Sequence, residues 1–242
     1  MNEEYIKPYF KFDCAPNANP EAIVKGDKYR FTILTSKLIR LEWADNGKFE
    51  DRPTQTVWFR KLAPIKFETR QNGSILENET EDLLLTYNTL KKFTGSSLSI
   101  SLKQEKRKWK FGQKDRGNLK GTYRTLDGRN GGAPIKDGLM SKNGFTVYDD
   151  SDALIFDESY WLKTRQTEEE SKTNLIIDQY FFGYGRDYLA ILKDFYLIAG
   201  KTPMIPRYIL GNWWSRYWEY TEEELKTLIE TFDENKDRKS VV

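Results

Sequence analysis

The chemistry open to this 242-residue chain is bounded first by a missing side chain, for it contains no histidine. Ser-His-Asp and Cys-His catalysis within these residues is therefore excluded, as is a His-ligated zinc or haem. Carboxylates remain, 37 Asp and Glu together, and a suitably spaced pair can act as nucleophile and general acid. The conspicuous Asp149-Asp150 is not such a pair, because adjacent residues on a strand point to opposite faces. Aromatic residues make up 14% of the chain, with seven Trp; their rings can stack on sugars or bases, or pack between sheets.

The 39 Lys and Arg balance the acids to a net charge of +2. No global field draws the chain to nucleic acid or to an anionic membrane, and neither is expected as a partner. The one dense basic segment, residues 103–114 (KQEKRKWKFGQK), reads as a solvated edge hairpin, since Lys on an edge strand blocks edge-to-edge aggregation. Its Trp109 and Phe111 offer the alternative of a nucleic-acid patch. The single cysteine, Cys14, excludes an intrachain disulfide. No apolar stretch follows the acidic start MNEEYIK and none approaches the length of a membrane span, so a cytoplasmic protein is expected. In that compartment Asn72-Gly73-Ser74 and Asn78-Glu79-Thr80 mark turns rather than glycosylation sites.

The elements that must position any site change character along the chain. From Tyr29 to about Phe182 short runs of period two, bounded by Gly, Asn, Asp or Pro, predict an antiparallel β protein. They are residues 29–34, 38–43, 56–60, 65–69, 82–88, 97–102 and 107–111, with ALIF, YWLK and NLIIDQYFF completing a sandwich. Between them lies a glycine-rich passage over residues 118–151, which its aromatic and apolar content marks as an ordered loop of a functional kind. Its glycines lack the strand-to-helix setting of a phosphate cradle. Residues 187–200 switch to a helical period, with Tyr188, Leu192, Phe195 and Ala199 on one stripe and Gly200 closing the helix.

The last forty residues read as strand, helix, strand. An aromatic run from Tyr208 to Tyr217 suits a buried strand. Thr221 and Glu224 form a capping box, and Leu225, Leu228, Ile229 and Phe232 make the apolar stripe of the helix that follows. Ser240-Val241-Val242 opens a further strand. This is the unit from which (β/α) barrels are built, yet a whole barrel needs roughly 250 residues. The expectation is a chain cut inside its second domain: a β-sandwich over residues 1–185, a connecting helix and linker over 186–205, and the first unit of an incomplete barrel over 206–242.

Five ordered motifs, FEDRPTQTVW near residue 49, NLKGTYRTLDG at 118, DGLMSKNGFTVYDDS at 137, YFFGYGRDY at 180 and PRYILGNWWSRYW at 206, together resemble the glycoside hydrolases of family 31, the α-glucosidase and α-xylosidase group. The resemblance implies a galactose-mutarotase-like β-sandwich followed by a (β/α)8 catalytic barrel. It implies a retaining mechanism on α-linked sugars with no metal or organic cofactor, an oligosaccharide or α-glycoside substrate, and the remainder of the barrel as the chain's own partner. Both catalytic aspartates of the family sit on later barrel strands and its sugar-binding Asp ends the second, so no catalytic residue is assigned here and the chain alone is expected to be inactive. The substrate-binding candidates are Tyr217 and Trp218, at the end of the first barrel strand, and Asp137, in the loop that the family sends to the barrel mouth; for Asp137 the alternative is a cap on the turn at Gly138. The competing class is a non-catalytic carbohydrate-binding or structural sandwich; a mutarotase is disfavoured by the absence of histidine.

Overall fold

The structure, a computed structural model, describes residues 11–122, 128–210, 212–214, 216–236 and 239–241. The chain divides into two units, Met1–Lys201 and Thr202–Val242.

The larger unit holds β1 (Ile23–Lys25), β2 (Tyr29–Thr35), β3 (Leu38–Ala44), β4 (Glu68–Asn72), β5 (Ile75–Glu79), β6 (Leu83–Asn88), β7 (Leu98–Leu102), β8 (Arg107–Lys110), β9 (Phe145–Asp149), β10 (Ile155–Phe156), β11 (Leu162–Lys163), α1 (Glu168–Thr173), β12 (Ile176–Gly183) and α2 (Tyr188–Ala199). Two five-stranded antiparallel sheets result, in the orders β1-β2-β3-β12-β9 and β4-β5-β6-β7-β8. The second is a meander in which every strand pairs with its sequence neighbour. Its inner strands alternate strictly, and the register that sets Leu85 opposite Ile100 and Leu83 opposite Leu102 turns both apolar rows inward. Phe31, Ile39, Leu41 and Phe181 of the first sheet meet these rows in one core. The expected sandwich is present.

The first sheet is buried on both faces, β3 along its whole length. Its outer face carries a second apolar cluster, in which Leu38 and Phe182 meet Ile191 and Ile198 of α2 and Val57 of the preceding loop. Asp187 caps α2 by accepting from the Ala190 N–H at 3.0 Å, and Gly200 ends it at φ 88°, where a Cβ would stand 3.0 Å from the Phe59 ring. The buried residues of α2 are thus Ile191 and Ile198; of the expected stripe Phe195 packs beside them, while Tyr188, Leu192 and Ala199 are only half-buried.

Several strand expectations shift. Residues 56–60 form no sheet strand: Trp58 and Phe59 give their N–H groups to the Ile198 carbonyl at 2.9 and 3.0 Å, so this backbone closes on the end of α2. The strand expected at 65–69 begins three residues later, and ALIF and YWLK make a separate two-stranded ribbon. β5, β9 and the short α1, capped by the Thr167–Glu170 box, escaped the sequence reading. β8 is the edge of its sheet, as expected of the basic hairpin, although Trp109 turns fully into the core.

In the smaller unit β13 (Asn212–Trp214) and β14 (Lys239–Val241) pair in parallel across α3 (Glu222–Glu234). The Thr221–Glu224 capping box forms as the sequence predicts, and Leu225 and Ile229 stand exposed on α3. The aromatic run is not one strand, because Arg207–Leu210 is a 3-10 turn and only 212–214 are extended. Ser215 lies outside the described residues.

Candidate functional site

The glycine-rich passage is ordered by one asparagine. Asn118 accepts the N–H groups of Lys120 and Gly138 at 2.8 and 2.9 Å, and its Nδ2 donates to the Gly138 carbonyl at 2.9 Å. Gly138 presses so closely on the other arm that a Cβ would lie 2.6 Å from the Lys120 carbonyl oxygen, which explains a glycine there. Asp115 accepts from Ser141 Oγ, Asn143 Nδ2 and Asn118 Nδ2 at 2.7, 2.8 and 3.0 Å, tying the two arms below that crossing. They form one side of a cleft of about 380 Å³ whose other walls include Trp109, Phe145 and Gln179.

Asp137 stands on the rim of this cleft, more than half exposed and paired with Lys120. Among the described residues its carboxylate takes no backbone N–H, and that of Gly138 goes to Asn118. Asp115 and Asn118, which build the cleft, were not singled out from the sequence; an Asn and an Asp three residues apart in a loop look like ordinary turn residues.

The outer face of the first sheet bears a set of ion pairs. Opposite Glu42 in register, Arg30 forks onto its carboxylate at 2.6 and 2.8 Å. Arg40 forks onto Asp178 at 2.7 and 2.7 Å, and Arg165 bridges Asp178 to Asp150 at 2.7 and 3.1 Å. All six side chains are buried. Burial works to raise Asp178, but the Arg40 and Arg165 guanidiniums hold it well below the ordinary carboxylate range. Burial wins at Glu42 and Asp150, both pushed up.

Three of the sequence motifs act as fasteners around this sheet. Arg40 and Arg30 also take the Glu50 carbonyl at 2.8 and 3.3 Å, and Arg60 takes those of Pro16 and Arg52 at 3.1 Å each, pinning the FEDRPTQTVW loop to the sheet. In the YDDS motif Asp149 and Asp150 do diverge: Asp150 is buried against Arg165, while Asp149 accepts from Ser151 and Gln179. Within FGYG, Gly185 gives its N–H to the Gly144 carbonyl at 2.9 Å, and a Cβ on Gly144 would meet Gly185 at 3.0 Å.

Tyr217 and Trp218 belong to the smaller unit, beyond β13 rather than at its end. Tyr217 is fully exposed, and Trp218 lies under the Arg216 guanidinium, 4.8 Å from its ring centroid. Among the described residues no cluster of acidic or cysteine side chains is placed to hold a metal, and no helix is long and apolar enough to cross a membrane.

Against known folds this arrangement has counterparts. A GH31 dextranase from Flavobacterium johnsoniae, complexed with isomaltotriose, matches 93% of this chain with 33% of its own at a TM-score of 0.53 and 17% identity. A GH31 α-xylosidase from a soil metagenome, complexed with xylose, matches 88% with 38% of its own at 0.52 and 12% identity. The GH31 α-xylosidase of Xanthomonas citri matches 91% with 44% of its own at 0.52 and 11% identity. No protein-family model matches the chain, and no curated protein does. The chain therefore has the fold of an N-terminal portion of these glycoside hydrolases, as the motifs suggest, and spans about a third to under half of their length.

Proposed function

We propose that this chain is the N-terminal part of a retaining glycoside hydrolase acting on α-linked glucosides or xylosides. The observation that carries the reading is the fold likeness to a dextranase and to α-xylosidases over about nine-tenths of the chain. The parallel β13–α3–β14 unit adds to it, being the repeat from which a (β/α)8 catalytic barrel grows. A retaining mechanism needs a carboxylate nucleophile and a carboxyl acid about 5 Å apart. On this reading both lie on later barrel strands, so that the chain by itself is inactive and completes its site with the rest of the barrel.

In that site Tyr217 and Trp218 line the sugar pocket, their rings shielding the oxocarbenium-like centre from water. Asp137 accepts a sugar hydroxyl from the rim of the loop. The exposure of all three suits groups that await a ligand or the remaining barrel. The test is kinetic and uses the longer protein that contains this chain, with aryl α-glucosides and α-xylosides as substrates. Tyr217→Ala lowers kcat/KM by about tenfold or more, an amount worth one ring contact, with an unchanged melting temperature. Asp137→Ala raises KM several-fold. No turnover of either substrate class by the wild-type protein would refute the reading.

A further inference from the structure

A second concavity lies wholly within the sandwich unit, between the segment before β1 and the β10–β11 ribbon, and encloses about 660 Å³. That is the size of a small-molecule site, roughly 300–1,000 Å³. Its floor is aromatic. Phe12 stacks on Trp58 at 4.2 Å and meets Phe156 and Tyr160 edge-on at 4.7 and 5.3 Å. Tyr160 is held at φ 59°, in the left-handed region that a non-glycine residue rarely adopts.

The rim is polar and already arranged. Arg52 forks onto Glu50 through Nε and Nη2, both at 2.8 Å, which fixes its plane and leaves Nη1 without a partner among the described residues. Asp157 is oriented by the Ser159 N–H at 2.9 Å, by the Ser159 hydroxyl and by Lys163. Glu158 is exposed beside it. A cation would also favour rings and carboxylates, but Asp157 is paired with Lys163 and Glu50 with Arg52, while Asp51 shares Arg30 with Glu42. Donors and acceptors side by side on one rim suit a hydroxyl-rich ligand, whose hydroxyls serve both.

From this geometry we propose that the cleft between Phe12, Tyr160 and Arg52 binds one or two rings of an α-linked gluco-oligosaccharide, stacked on Tyr160 and hydrogen-bonded to Arg52, Asp157 and Glu158. The choice of a glucan rests on the glycosidase reading; the cleft itself does not. It gives the sandwich a hold on a polymeric substrate that owes nothing to the barrel.

The test uses the 242-residue chain in native electrophoresis through gels containing dextran or glycogen, and titration with isomaltotriose and maltotriose. The wild-type chain is retarded and binds at least one trisaccharide. Tyr160→Asn keeps a residue that tolerates the left-handed backbone, and Arg52→Met keeps the stem; each weakens binding about tenfold, the equivalent of roughly 1.4 kcal/mol, while Leu90→Ala, at an exposed position after β6, leaves it unchanged. Absence of retardation and of trisaccharide binding, binding unaltered in both cleft variants, or displacement by spermidine rather than by sugar would each overturn the proposal. Should Tyr160→Asn fail to fold, Arg52→Met decides. Hydrolysis by the longer protein without sugar binding in this cleft sinks the cleft alone, whereas binding lost in Tyr160→Asn without any hydrolysis sinks the glycosidase reading and leaves the cleft.

Discussion

The two faces of the first sheet are built from the same strands by opposite chemistry. On the inner face Phe31, Ile39, Leu41 and Phe181 meet the second sheet with no polar atom among their side chains. On the outer face, one residue out of step, Arg30, Arg40, Glu42 and Asp178 pair with each other at hydrogen-bond distance. The inner face is held by area removed from water, a force without direction that tolerates any set of rings and branches filling the volume. The outer face depends on forked geometry and fails when one partner is lost, because a buried charge is then left uncompensated. FEDRPTQTVW and YDDS supply the loops and partners of the ionic face.

The contrast can be broken first at its most demanding point. Asp178→Asn leaves Arg40 and Arg165 without their shared carboxylate and costs about 3–5 kcal/mol, enough to unfold much of the chain at room temperature; urea unfolding followed by circular dichroism reads it. A loss under about 1 kcal/mol would show that the ionic face is solvated and incidental. On the inner face Leu41→Ala removes a fully buried side chain and costs about 2–4 kcal/mol from lost transfer energy and the cavity left behind. Leu41→Met costs less than about 1.5 kcal/mol, because volume rather than geometry matters there.

The smallest effect, and the one that separates the faces most sharply, is in pH. Asp178 has a folded value below its unfolded one, so its stabilisation is complete above about pH 4 and is lost as the pH falls toward the folded value. Glu42 and Asp150 are raised, so their cost is felt above the unfolded value and is relieved on acidification. Between pH 7 and 4 only the relief of Glu42 and Asp150 acts, so the stability of this face rises as the pH falls to about 4, and the loss from Asp178 sets in below that. In Asp178→Asn the loss that begins below about pH 4 is absent, so its urea midpoints rise relative to wild type only as the pH falls from about 4 toward 2. Leu41→Ala shifts all midpoints equally.

Much of the architecture could be read from residue order, for reasons that are local. Alternation with period two in residues 82–88 and 97–102 survives as β6 and β7 because one face of that sheet meets water. The Thr221–Glu224 box and the Asp187 and Gly200 ends of α2 are settled by contacts within a few residues. What failed was read where both faces are buried or where the backbone bonds elsewhere. Residues 56–60 look like a strand, yet tertiary contact gives their N–H groups to Ile198. Residues 145–149 look like loop, yet β12 recruits them as an edge.

The candidate site divides along the same line. Asp137, Tyr217 and Trp218 were visible as residues because their positions in motifs are a property of order. The sequence determined by itself the sandwich, the strand–helix–strand ending and the absence of histidine chemistry, since these follow from periodicity, capping and composition. Only the tertiary structure could decide that Asp150 is a buried ion-pair partner and Asp137 an exposed rim carboxylate. It alone could gather Phe12, Phe156 and Tyr160 into one aromatic floor across 148 positions of chain, because burial and proximity between distant residues are set by which strands pair, and no local pattern encodes them.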